Sequence, residues 1–183
     1  MATSAHLAPA AAVTFTLALL IAAWASRGRL HSFGFEFLRW NRTSPRESVE
    51  ALAFGAACGL CVALLFQHLY HRTSFTWQEA WIGSTLGPLI EEAAFRGYLF
   101  SASELAVRNR IENASWVSGV AIAAVFALCH LPKPGITVLQ IGVIFVMGIV
   151  YAWLRIKSNS TTSPFLAHAA YNIVIYAAAA LLA

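Results

Sequence analysis

Apolar residues fall in long blocks separated by polar joints. This is neither the one-sided stripe of a helix on a soluble core nor the alternation of a half-buried strand. The blocks run from Leu7 to Ser26, Val49 to Tyr70, Ala80 to Phe100, Ala114 to His130, Ile136 to Ile156 and Pro164 to Ala183. A hydrocarbon core takes roughly 20 helical residues to cross, so the pattern predicts six transmembrane helices. The fold expected is all-α, a polytopic integral membrane helical bundle, with residues 1–183 as a single domain and no internal repeat. Ala23, Trp24 and Ala25 resemble a leader cleavage site, but no Lys or Arg precedes the first block, which favours a retained span.

Composition agrees with the pattern. Apolar residues make up 59% of the chain and charged ones 11%, against roughly 25% charged in a soluble domain. A water-soluble globule and a disordered polar chain are both excluded. Basic residues exceed acidic ones, 12 to 8, and they cluster: Arg27, Arg29, Arg39, Arg42 and Arg46 in the first joint, Arg108 and Arg110 in the third, Arg155 and Lys157 in the fifth. The alternate joints hold only Arg72 and Lys133. Positive charge marks the cytoplasmic side, so both termini are expected away from the cytoplasm, in the cell (inner) membrane, with Arg96 left inside the bilayer. Anionic headgroups are the partner this charge implies, and nothing points to nucleic acid. The long joint 27–50, with its aromatic residues, is read as an interfacial helix or hairpin. Cys58, Cys61 and Cys129 lie in apolar stretches and suit packing better than a disulfide framework. His68 and His71 end the second block, where headgroup contact is the natural role.

Three stretches are polar where the pattern is apolar. The third block holds Glu91, Glu92 and Arg96, and each such side chain at a membrane helix centre costs on the order of 2.5 to 3.5 kcal/mol. Glu92 and Arg96 are four apart, so the guanidinium can neutralise that carboxylate, while Glu91 lies about 100° away on the helix. Pro88 after Gly87 reads as the first turn of a helix, which implies a break in the span at protein-lined depth. Phe126 and His130 are four apart on the fourth block, so the ring can orient the imidazole. His168 and Asn172, also four apart, aim an imidazole and a carboxamide into one space, a pair able to donate to a developing oxyanion. A buried Glu–Arg clip that merely joins helices is the structural alternative.

These residues resemble the CPBP family, the group of CAAX prenyl proteases and bacteriocin-processing enzymes also called Abi, which are glutamic intramembrane endopeptidases. Glu91-Glu92 with Arg96 and Phe100 looks like its E-E-x-x-x-R-x-x-x-F, Phe126 and His130 like its F-x-x-x-H, and His168 with Asn172 like its H-x-x-x-N. The resemblance implies a peptide-bond hydrolase acting on a membrane-associated protein or peptide: a CAAX-type tail, a sorting tail or a bacteriocin-like precursor. It implies that Glu91 and His130 activate water, that His168 and Asn172 steady the tetrahedral intermediate, and that Glu92, Arg96 and Phe126 support them. Desolvation strengthens a carboxylate as a base, so the chemistry is plausible from the residues themselves. No cofactor is expected, although Glu91, His130 and His168 are also a sufficient donor set for a divalent metal such as zinc. A non-enzymatic membrane scaffold or immunity-type binding protein would use the same residues to pin helices. A small transporter with a protonatable relay is disfavoured by the absence of an internal repeat. One demand remains for the structure. Linear spans put His130 and His168 at opposite membrane faces, and a single site requires that they meet.

Overall fold

The computed structural model describes residues 38–40, 43–66 and 75–182. The expected first span, most of the joint 27–50, and His68 and His71 lie outside them. The described residues are helical, with no strand among them. Three helices are long and apolar enough to cross a membrane: α1 (Pro45–Leu65), α6 (Val138–Ser158) and α7 (Thr162–Leu182).

The third block resolves into four pieces in place of one continuous span: α2 (Trp77–Ser84), α3 (Leu86–Glu92), a π-helical segment (Ala93–Leu99) and α4 (Phe100–Val107). The fourth becomes α5 (Ala114–Leu128), whose 15 residues extend about 22 Å, short of a full bilayer core. Hydropathy averages over a window, so it sees neither the break nor the shortness.

Local chemistry sets the ends. Ser44 and Glu47 form a reciprocal capping box, with Pro45 as the first helical residue, so α1 starts before its apolar block does. Its first turn carries the exposed Arg46–Glu50 pair at 2.8 Å. Thr137 and Gln140 form the same box at the start of α6, and α6 ends at Asn159 in the left-handed region, φ 50°. The turn into α7 buries Ser160, Thr161 and Ser163. The backbone of 38–39 docks beneath it, the Thr161 amide donating to the Arg39 carbonyl at 3.0 Å and its hydroxyl to the Leu38 carbonyl.

α7 is the central element, packed against α1, α2, α3 and α6. It meets α1 most closely because Gly55 and Gly59 present no side chain to the backbone at Ala167 and Tyr171. Cys58, between those glycines, packs on the cluster of Met147, Tyr151, Leu154 and Ala167, as a small residue there should, while Cys61 is exposed. On the other side, Gly148 of α6 lets α5 approach at Ala123.

A Cβ on Gly55 would lie 2.0 Å from the Ala167 carbonyl oxygen, which is backbone and cannot swing aside. Gly55→Ala should therefore destabilise the protein by about 1–3 kcal/mol, read as a lower melting temperature in detergent or nanodiscs. Gly142→Ala, with nothing within 4 Å, should leave it unchanged or slightly raised. Equal melting temperatures for the two variants would contradict the close α1–α7 contact.

Candidate active site

The break in the third block is written in Thr85, Gly87 and Pro88. Thr85 leaves helical geometry at φ −125°, ψ −74°, and its hydroxyl donates back to the Trp81 carbonyl at 2.7 Å. Pro88 falls in the first turn of α3, where its missing N–H is no loss. α3 then delivers Glu91 and Glu92 at its carboxy-terminal end, and the chain widens at once into the π-helical segment that carries Arg96 and Gly97, both buried. Such segments recur at functional sites because the extra residue per turn re-aims side chains.

Glu92 and Arg96 are both 0% exposed. One carboxylate oxygen, Oε1, accepts from Arg96 Nη1 at 3.1 Å and from His168 Nδ1 at 2.8 Å. Arg96 Nη2 donates to the Gly148 carbonyl at 3.0 Å, and the guanidinium carbon lies 4.4 Å from the Phe126 ring centroid. Because a carboxylate can only accept, the His168 Nδ1 carries hydrogen. Its other nitrogen, Nε2, is 3.8 Å from Glu91 Oε2.

Glu91 is the unlike twin of Glu92. About a third of its side chain, 35%, is exposed, and it lines a cavity of about 740 Å³ together with Phe126, His130, His168 and Asn172. Of the residues expected at the site, these five meet in that cavity, while Glu92 and Arg96 stand behind it. His130 Nδ1 donates to the Phe126 carbonyl at 2.8 Å, an obligate acceptor, so in the neutral ring Nε2 is the basic nitrogen. Phe126 lies edge-on between the two imidazoles, 4.9 Å from His130 and 6.1 Å from His168. Asn172 Nδ2 donates to the Gly83 carbonyl at 2.7 Å, so one of its two N–H groups ties α7 to α2 and one is left for other use.

His130 and His168 line one cavity, and the turn after α5, Lys133 to Thr137, borders it too. Glu79, in the polar first turn of α2, also lines it. The Thr76 amide and hydroxyl hold its carboxyl below the usual range. Among the described residues, no group of three or more His, Cys, Asp or Glu is placed to hold a metal ion.

The family model described as Type II CAAX prenyl endopeptidase Rce1-like matches residues 73–174, more than half of the chain. The chain belongs to the Rce1-like family. With three described helices able to span a bilayer, this Rce1-like protein is an integral membrane member of a CAAX-type intramembrane protease family. No curated protein and no solved structure matches it.

Other residues at the candidate site were not legible in the motifs. Tyr151 stacks on His168, and Gly83 and Gly148 contribute only carbonyls, which any residue type carries. Arg155, placed by sequence position in the fifth joint, is 1% exposed and donates from Nε to the Arg96 carbonyl at 3.0 Å and from Nη2 to Ser101 at 3.3 Å. It braces the π-helical segment, a burial that sequence position does not mark.

Arg96→Ala would leave Glu92 buried beside an empty volume and should cost about 3–5 kcal/mol, seen as a large fall in melting temperature or in folded yield. Adding Glu92→Leu to Arg96→Ala should recover part of that loss, because the stranded charge is gone. No recovery in the double variant would mean that Arg96 acts by packing alone.

Proposed function

We propose that this Rce1-like protein is an endopeptidase that hydrolyses a peptide bond in a membrane-associated protein or peptide, using water activated by Glu91 and His130. The observation that carries the reading is the meeting of Glu91, His130, His168 and Asn172 on one cavity, backed by the buried Glu92–Arg96 pair. Glu91, accessible from the cavity, takes a proton from water as the oxygen attacks the scissile carbonyl carbon. His130, with Nε2 as its basic nitrogen, shares that proton and returns it to the leaving amine. His168 Nε2, when the ring is doubly protonated against the Glu92 carboxylate, and the second N–H of Asn172 donate to the oxyanion. The carbon–nitrogen bond then breaks, leaving a new carboxylate and a free amine. No step passes through a metal.

A CAAX-type tail is the first substrate class to test, on the strength of the family description; sorting tails and bacteriocin-like precursors complete the panel. The protein is read as multi-pass in the cell membrane, where each of these would be presented. In a scaffold reading Glu91 would pin helices with the other polar residues, yet among the described residues its ionic partner His168 is 3.8 Å away and it stays partly exposed.

Purified protein in nanodiscs should cleave at least one tagged member of that panel. Glu91→Ala and His130→Ala should each lower kcat by about 10²- to 10⁴-fold with melting temperature preserved, and chelator should leave the wild-type rate unchanged. Cleavage by Glu91→Ala at the wild-type rate would overturn the assignment of the base, and loss of activity with chelator would replace it with a metal site.

A further inference from the structure

Tyr151 belongs to none of the three motifs, yet it makes the closest ring contact to His168. It lies on α6, 1% exposed, with its ring centroid 4.6 Å from that of the imidazole and the planes 20° from parallel. The Arg96 guanidinium carbon is 5.4 Å from the same ring's centroid. The Tyr151 hydroxyl is buried and has no hydrogen-bond partner among the described residues, so its contact with His168 is made by the ring.

The imidazole needs such a contact. Its hydrogen bond from Nδ1 to Glu92, 2.8 Å long, fixes one edge but allows the ring to swing about that line. Phe126 meets it edge-on, at an interplanar angle of 88°, and does not clamp its face. A parallel ring does, because any swing of the imidazole collides with the stacked surface.

We propose that Tyr151 is a positioning residue for the hydrolysis, its ring face holding the His168 imidazole in the plane that turns Nε2 toward Glu91 and the cavity. The proposal rests on the protease reading above, and its test separates the two. Full-length wild type, Tyr151→Phe, Tyr151→Leu, Tyr151→Met and Glu91→Ala are compared in nanodiscs by cleavage kinetics. The same Tyr151 variants, carrying ¹³C-labelled histidine, are examined by NMR, with His168→Gln assigning the His168 signal. A stacked aromatic ring shifts that signal upfield whether or not a substrate is known.

Tyr151→Phe is expected to keep wild-type kcat and the shifted signal. Tyr151→Leu and Tyr151→Met should lower kcat by about 10- to 100-fold at constant KM and return the His168 signal to the range of the other histidines. Met refills the volume flexibly and is judged alone if the Leu variant does not fold. A Phe variant as impaired as Met, a Met variant with wild-type kcat, a loss carried in KM, or a His168 signal unmoved in Met would each overturn the proposal. Cleavage by Glu91→Ala would instead sink the protease reading and leave the stacking to be decided by the His168 signal. Glu91→Ala inactive beside fully active Tyr151→Met would remove only the positioning role.

Discussion

A carboxylate with no access to water, in a membrane chain rich in apolar residues, is the constraint around which this protein is built. Glu92 is fully buried, and an uncompensated charge there would cost several kcal/mol. Its compensation comes from three elements at once: Arg96 one turn on, His168 from α7, and, through Arg96, the Gly148 carbonyl of α6. Each partner needs its own support. The π-helical segment sets where Arg96 emerges, Arg155 grips the Arg96 carbonyl, and Gly148 can offer its own because α5 and α6 approach without a side chain between them. Removing any link strands a charge or a donor in apolar surroundings, which is why the frame behind the cavity is held more tightly than the cavity wall.

Part of this was legible from spacing alone. Glu92 with Arg96 and Phe126 with His130 are both four residues apart, and the helix turns that interval into contact whatever the tertiary fold. The break ahead of Glu91 was legible too, since Gly87 and Pro88 in an apolar run have few other uses. What escaped is what depends on chain segments far apart in sequence. His168 reaching Glu92, Asn172 reaching Gly83 and Tyr151 stacking on His168 have no local signature, and one of the acceptors, at Gly83, is a backbone carbonyl that no sequence pattern marks. A hydropathy window rewards apolar content and registers neither the shortness of the 15-residue α5 nor the split in the third block. The burial of Arg155 likewise has no mark in the sequence: position along the chain is not depth within the fold.

The meeting of His130 and His168 shows how a membrane protein can gather distant motifs. Full-length spans would carry the end of one helix and the start of another to opposite faces. A short α5 followed by the proline-bearing turn at 131–135 ends the rise early and turns the chain back along the cavity. Irregular backbone within a membrane is tolerated where it is covered by protein or lines a cavity, and Lys133 to Thr137 line one. The same logic accounts for Thr85 between α2 and α3, where the freed geometry also lies beside the cavity, at Gly83 and Gly87.

The adjacent glutamates show why a pair is more useful than either residue alone. Neighbours on a helix differ by about 100° in direction, so one turn can send Glu92 into the frame and Glu91 to the cavity with no further elaboration. Their environments then differ in every respect that matters to proton transfer. Glu92 is ion-paired, doubly engaged at Oε1 and dry, whereas Glu91 is partly exposed with one imidazole 3.8 Å away. A base must change its protonation state during a reaction, and a carboxylate locked into two hydrogen bonds cannot do so without dismantling the frame. In the proposed hydrolysis the exposed glutamate is therefore the one free to act, and the buried one is what keeps His168 facing it.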